Sequence, residues 1–242
     1  MSRFPEYIKE CDIYSIDASY KDFNIDDKYP FYNFSIFKNN KRIDMLNYIT
    51  VLGEMTGTKP GEIPFNEKEV VNFFCNQILE TPYNDEISSI LSEREFNIIK
   101  DCKPQNISDI IKCLALSYNK LWEYSVKDFI ETGTASIKDV ISTREDVYET
   151  LVSYGIDDET SFSLACTIYM GYVCNKLENW QKDLLHSYNI PQWYIDSCSN
   201  ADYLFPRAHV TELFILKWKL AYYKLHYPFE FSTVINQKNN TV

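Results

Sequence analysis

The stretch Tyr203-Leu204-Phe205-Pro206-Arg207-Ala208-His209-Val210-Thr211-Glu212-Leu213-Phe214-Ile215-Leu216-Lys217-Trp218-Lys219-Leu220-Ala221-Tyr222-Tyr223-Lys224-Leu225-His226-Tyr227-Pro228 decides the fold. No glycine or proline interrupts it between His209 and Pro228. Proline has no amide hydrogen and clashes with the preceding turn, so a helix must stop there. The stretch predicts a long helix beginning after Phe205-Pro206-Arg207-Ala208-His209, of a length that fits a domain core. Trp218, Tyr222, Tyr223 and Tyr227 read as core aromatics rather than a base-stacking platform, which would want a basic groove beside it. Lys217 and Lys224 lie seven residues apart on one helical face and read as a solvated stripe.

Moving toward the N-terminus, the same helical signals recur. Pro191 opens a helix to Ser199, since proline suits a first turn, and further helices are expected over 178–188 and 158–175. Ser142-Thr143-Arg144-Glu145 matches a capping box, with the serine as cap and the glutamate reaching back. That helix ends before Gly155, at a position suited to a left-handed residue. Short helices fill 66–130, broken at Thr81-Pro82-Tyr83-Asn84-Asp85 and Lys103-Pro104-Gln105-Asn106. Lys59-Pro60-Gly61 and Ile63-Pro64 end one helix and launch another near Asn66. Helical periodicity begins at Met45. Before it, Cys11–Ile16 and Phe31–Phe37 alternate as short strands do. The fold class is therefore mainly α (α+β), with a strand-containing unit over 1–50 and a helical domain over 51–242.

Composition narrows the function. A chain of 242 residues makes roughly one or two domains. Its 6 glycines, where average usage would give about 17, disfavour glycine-cradled phosphate loops and turn-dense β architectures. Seven cysteines are never spaced C-x-x-C, and the three histidines are scattered, so the cysteines read as small buried hydrophobes rather than a disulfide frame or zinc site. No apolar run spans a membrane and the first residues lack a signal-peptide core, so a cytoplasmic location and no membrane contact are expected. A net charge of −11 opposes an unaided grip on DNA. The charge is uneven: residues 51–200 carry 12 Lys and Arg against 24 Asp and Glu, whereas 201–242 carry 5 against 3. An anion site is best sought near the C-terminal end.

Two helix starts sharpen that search. A helix N-terminus carries partial positive charge, so a cation there is mildly unfavourable. Yet Arg144 sits in one first turn, and Arg207 with His209 stands at another. An anion joining them would be attracted by amides, dipole and guanidinium together. The competing reading needs no ligand: Arg144 pairs with neighbouring Glu145 or Asp146, and His209 is a satisfied, partly buried histidine.

Ile190-Pro191-Gln192-Trp193-Tyr194-Ile195-Asp196-Ser197-Cys198, Tyr203–His209 and Ala221–Pro228 resemble the fingers domain of the PolC-type bacterial DNA polymerase III alpha subunit, a C-family replicative polymerase. Gly133-Thr134-Ala135-Ser136 and Ile141–Asp146 are similar to the same domain, in the right order. A weaker likeness extends over Leu52–Ile63 and Lys103-Pro104, and back to Phe4–Ile8. The resemblance implies a helical, fingers-like domain preceded by a small palm remnant. It further implies that Arg144, Arg207, where the family usually has lysine, and His209 descend from a triphosphate-binding site. Asp44 looks like the third of the family's metal-binding aspartates.

The departures are equally specific. The family's paired palm aspartates are expected upstream of residue 1, and a two-metal transfer centre needs several converging carboxylates. Leu116–Trp122 stands in place of a motif containing Gly, His and Thr, and Tyr169–Asn175 in place of a Lys/Arg/Gly-rich turn. Glu212 would repel a nearby triphosphate. The expected function is that of a free-standing fingers-like pseudoenzyme connected with DNA replication. It would be non-catalytic alone and would bind a replication protein, a deoxynucleoside triphosphate or primer-template DNA, as a decoy or inhibitor. Two alternatives stand beside it. The chain is one piece of a split polymerase, active as a nucleotidyltransferase only with a palm-bearing partner chain, or it is a repurposed helical interaction domain. No cofactor is required by the chain itself, and Mg2+ enters only with that partner.

Overall fold

The computed structural model describes residues 40–169 and 177–239. Both stretches expected as strands, Cys11–Ile16 and Phe31–Phe37, lie outside them. Among the described residues the protein is helical and no strand occurs. None of these helices is long and apolar enough to cross a membrane.

At the centre lies the long helix expected above, 20 residues running Arg207–His226. Pro206 stands at its N-cap with extended backbone (φ −60°, ψ 137°), so the helix starts at Arg207, inside the motif rather than after His209. Its buried residues, Val210, Phe214, Ile215, Leu216, Lys217, Trp218, Leu220, Ala221 and Tyr223, occupy every face. A helix that is apolar all round must be enclosed on all sides.

The surrounding elements do this. In chain order they are α1 (Asn40–Thr56), α2 (Lys68–Asn72), α3 (Ile78–Glu80), α4 (Asp85–Ile90), α5 (Glu93–Cys102), α6 (Ile107–Leu116), α7 (Lys127–Thr132), α8 (Arg144–Ser153), α9 (Asp158–Tyr169), α10 (Asn179–Ser187) and α11 (Gln192–Asn200). The central helix is α12 (Arg207–His226), and α13 (Pro228–Asn239) follows it. Helices α1, α2, α4, α6 and α13 pack against α12, while α8 and α9 form a hairpin. Pro228, expected only to end α12, also opens α13, because a proline is well suited to a first turn. Helix α1 runs unbroken through position 50.

The local breaks follow the chemistry of their residues. Asn84 and Asn106 accept the amides of Ile87 and Asp109 and so cap α4 and α6. Ser92 and Glu95 form a capping box on α5. Gly155 closes α8 with φ +92°, a conformation that a side chain would disfavour. Gly53 of α1 lies where a Cβ would meet the Pro60 ring at 3.1 Å and the Tyr223 hydroxyl at 3.4 Å, so its lack of a side chain lets α1 approach α12. Between α2 and α3 the chain widens into a π-helical turn, Phe73–Gln77, which buries Phe73, Phe74 and Cys75 together. Phe74 and Phe65 then pack edge-on against Phe214, with ring centroids 5.4 and 5.8 Å away. Trp218 completes this cluster and donates its Nε1 hydrogen to the Pro64 carbonyl at 2.9 Å.

The lysine stripe on α12 is not solvated. Lys217 is only 4% exposed, and its ammonium donates to Glu95 Oε2 at 3.0 Å and to the Ile90 carbonyl at 3.1 Å. Lys224 pairs with Glu86. Seven-residue spacing implies a wet face only when a helix has one, and α12 has none over that turn. The described cysteines fit their expected role: Cys75, Cys102, Cys113 and Cys198 are buried free thiols, and Cys166 is half-buried.

The Lys217–Glu95 pair gives a direct stability test. Removing one member of a buried ion pair strands the other, at a cost of about 3–5 kcal/mol. Lys217→Met should destabilise the protein by about 3 kcal/mol in urea unfolding. Adding Glu95→Gln, which keeps the capping geometry of α5 without the charge, should recover part of that loss. A double variant no more stable than Lys217→Met would show that the pair is not coupled.

Candidate functional site

The start of α8 is built by one carboxylate. Thr143 Oγ1 accepts the Asp146 amide at 3.3 Å, while Asp146 Oδ2 accepts the amides of Thr143 and Ser142 at 2.8 and 2.9 Å and the Ser142 hydroxyl at 2.6 Å. The capping box is therefore one residue later than the sequence suggested, with Thr143 and Asp146 in place of Ser142 and Glu145. Aspartate, one carbon shorter than glutamate, reaches back across the cap while Glu145 is left free to turn elsewhere.

Glu145 turns toward α12. Its Oε2 accepts the backbone amide of Arg207 at 2.7 Å, and its Oε1 accepts Arg144 Nη2 at 2.8 Å. Glu145 is 5% exposed. The anion at the start of the central helix is thus the protein's own carboxylate. The Arg207 guanidinium forms a two-pronged contact with Glu149, Nη1 at 2.8 Å and Nη2 at 2.7 Å, and also reaches Asp146 Oδ1 at 3.0 Å. Lys112 of α6 approaches the same Asp146 oxygen at 3.5 Å and donates to the carbonyls of Lys138 and Val140. Three cations, Arg144, Arg207 and Lys112, face three carboxylates, Glu145, Asp146 and Glu149.

The structure brings Arg144, Arg207 and His209 together around the Phe205-Pro206 link. The Arg144 amide donates to the Phe205 carbonyl at 3.3 Å, and its guanidinium lies 5.3 Å from the centre of the Tyr169 ring. His209 is half-buried and stacked on Phe205, with ring centroids 5.3 Å apart and planes 27° apart. Phe205 in turn meets Tyr118 and Tyr203 at 5.2 and 4.9 Å. Glu212 pairs with Arg42 of α1 and comes within 3.9 Å of His209 Nδ1. Asp44 lies half-buried on α1, two residues beyond Arg42. Among the described residues it does not join two further carboxylate, histidine or cysteine donors.

Of the segments that depart from the family pattern, 170–175 lies outside the described residues. Leu116–Trp122 borders an open depression of about 540 Å3 lined by Arg94, Tyr118, Asn119, Lys120, Glu123 and Tyr124. Its cations also have acidic partners, Arg94 on Glu123 and Lys120 on Asp202. Lys112 and Glu149 went unnoticed in the sequence because their partner Arg207 is distant along the chain. The cluster Glu145-Asp146 followed by Glu149, acidic on the opening turns of a helix, is the signal that points to them.

Charge and burial oppose each other at this cluster. Burial alone would push the Asp146 carboxyl up, but Lys112, Arg207 and the hydrogen bonds from Ser142 and Thr143 outweigh it and hold the pKa below the usual range. Burial likewise disfavours the Arg207 charge, and Glu149, Asp146 and Glu145 more than offset it, raising the pKa. A carboxylate whose folded pKa is depressed contributes stability that is present above its unfolded pKa and lost as pH falls through the folded one. Asp146→Asn should therefore destabilise the protein by about 3–5 kcal/mol at neutral pH. The gap from wild type should begin to narrow below about pH 4, where the aspartate of the unfolded chain takes up its proton, and go on closing as pH falls through the lower folded value. Chemical unfolding across that range checks both; a gap independent of pH would contradict the assignment.

No family model matches the chain. Its sequence is similar to proteins named DNA polymerase III PolC-type. Identity is 27% over 214 residues with the protein of Lacticaseibacillus paracasei, covering 82% of this chain and 15% of the relative. It is 25% over 244 residues with that of Lactococcus lactis subsp. lactis, covering 93% and 15%. With the protein of Halalkalibacterium halodurans it is 26% over 240 residues, covering 93% and 16%. The chain thus spans about one seventh of the length of the curated relatives it matches. The cations brought together around Phe205-Pro206 lie within a chain that is, over most of its length, similar in sequence to PolC-type DNA polymerase III.

Proposed function

We propose that this chain is a PolC-like protein connected with DNA replication, non-catalytic on its own, that acts by binding a replication protein rather than a nucleotide. The observation that carries this reading is the pairing of Arg144 with Glu145 and of Arg207 with Asp146 and Glu149. A triphosphate would have to compete with three carboxylates for these cations, one of them already on the Arg207 amide. The net charge of −11 works against a DNA backbone in the same way. What the chain shares with the polymerase is sequence over most of its own length. A surface resembling part of a polymerase would suit a decoy or inhibitor that competes for a polymerase partner.

A second reading has its own support. The Arg42–Glu212 ion pair ties the helix that carries Asp44 to the helix that carries Arg207 and His209. That arrangement would suit one piece of a split polymerase, in which a palm-bearing chain supplies the other carboxylates and Mg2+ binds at the joint.

Primer extension and affinity capture distinguish the two. The purified chain with Mg2+, primed template and all four deoxynucleotides should extend no primer. Immobilised on resin, it should retain a replisome protein from host extract, released by an excess of free chain. Retention of proteins unrelated to replication alone would overturn the first reading. Extension that requires an added palm-bearing chain and disappears in Asp44→Ala would establish the second.

A further inference from the structure

Two ends of the fold meet at a group of side chains with no part in the cluster above. Glu67 stands at the N-cap of α2, Glu69 lies in the first turn of that helix, and His226 is the last residue of α12. One donor atom from each lies within 4.8 Å of the others. His226 Nε2 is 2.7 Å from Glu67 Oε1 and 3.9 Å from Glu69 Oε2. From this geometry we propose that Glu67, Glu69 and His226 form a binding site for one divalent transition-metal ion of the zinc class, which fastens the start of α2 to the end of α12.

Several independent features support a metal here. Bonds of about 2.0–2.2 Å to nitrogen and oxygen place the donors of a tetrahedral site about 3.4 Å apart, between the two separations observed. A small rotation of the exposed Glu69 side chain would shorten the longer of them. Glu67 makes no side-chain cap to its own helix, and its carboxylate is turned to His226 instead. Its second oxygen, Oε2, is buried and has no hydrogen-bond donor. An unsatisfied buried carboxylate oxygen is costly, and a cation would satisfy it. The imidazole is held by the Tyr222 ring, whose centroid is 4.3 Å away. The last turn of α12 adds the negative end of a long helix dipole.

The donor set also selects the ion. An imidazole with two carboxylates suits Zn2+, Co2+, Ni2+ or Mn2+, whereas Mg2+ prefers oxygen alone and retains its water. Three protein ligands leave a fourth position for water. The role inferred is that of a fastener between helix ends, and no chemistry is assigned to it.

The full-length chain, stripped with chelator and dialysed, provides the test. Titrated with Co2+, it should bind one equivalent with a visible d–d spectrum lacking thiolate charge transfer. Zn2+ should displace the cobalt and raise the melting temperature. Glu67→Gln and His226→Gln should each weaken binding by about tenfold or more, at least as much as outer-shell changes typically do. Both variants should melt like the metal-free wild type. An absence of saturable binding would overturn the proposal and leave a simple histidine–glutamate ion pair. Binding undiminished in both variants would overturn it equally, by placing the ion elsewhere, for example on the cysteines.

Discussion

The described part of this fold depends on a buried carboxylate that must be neutralised from three directions. Asp146 caps α8 with one oxygen and draws Arg207 of α12 and Lys112 of α6 to the other. A charge removed from water is tolerated only if its hydrogen-bonding capacity is filled and opposite charge stands close. Those requirements fix where the helix starts meet. Glu145 and Glu149, on the same opening turns, then complete the hold on Arg207. The aromatic core around Phe214 and Trp218 is part of one continuous apolar cluster, while the carboxylate cluster sets which helix ends can adjoin.

The consequence for function is a contest between inside and outside anions. Cations beside a helix N-terminus form a good phosphate site when they face solvent with no competing carboxylate. Here the carboxylates are part of the chain, at effectively permanent occupancy. Glu145 lies on a backbone amide that an incoming phosphate would need. The cations that resemble those of PolC-type polymerases and the carboxylates that pair with them are therefore located on the same two helix starts.

Much of the helical layout was legible in local sequence. Asn84, Asn106 and Gly155 act at short range, and each break occurs where its residues require it. The cap on α8 was displaced by one residue because Ser142 and Thr143 are both competent and adjacent, and the choice depends on which acid reaches back. Lys217 could not be placed from spacing, because only the enclosure of α12 by other helices puts it next to Glu95, 122 residues away. The candidate site was half legible. The cations were visible against the helix dipoles, and Glu145 was visible beside Arg144. The contacts of Arg207 with Glu145, Asp146 and Glu149 span 58 to 62 residues and became visible only in three dimensions. The meeting of His226 with Glu67, 159 residues apart, was hidden for the same reason.

The central claim is that the cations at the starts of α8 and α12 are held by carboxylates of the chain itself and are closed to triphosphate. Phosphorus NMR of dATP, recorded while the full chain is titrated in, measures this most directly. The account predicts β- and γ-phosphate signals unchanged in position and width at millimolar nucleotide. Broadening or shifts that saturate with protein and disappear in Arg207→Ala would contradict it.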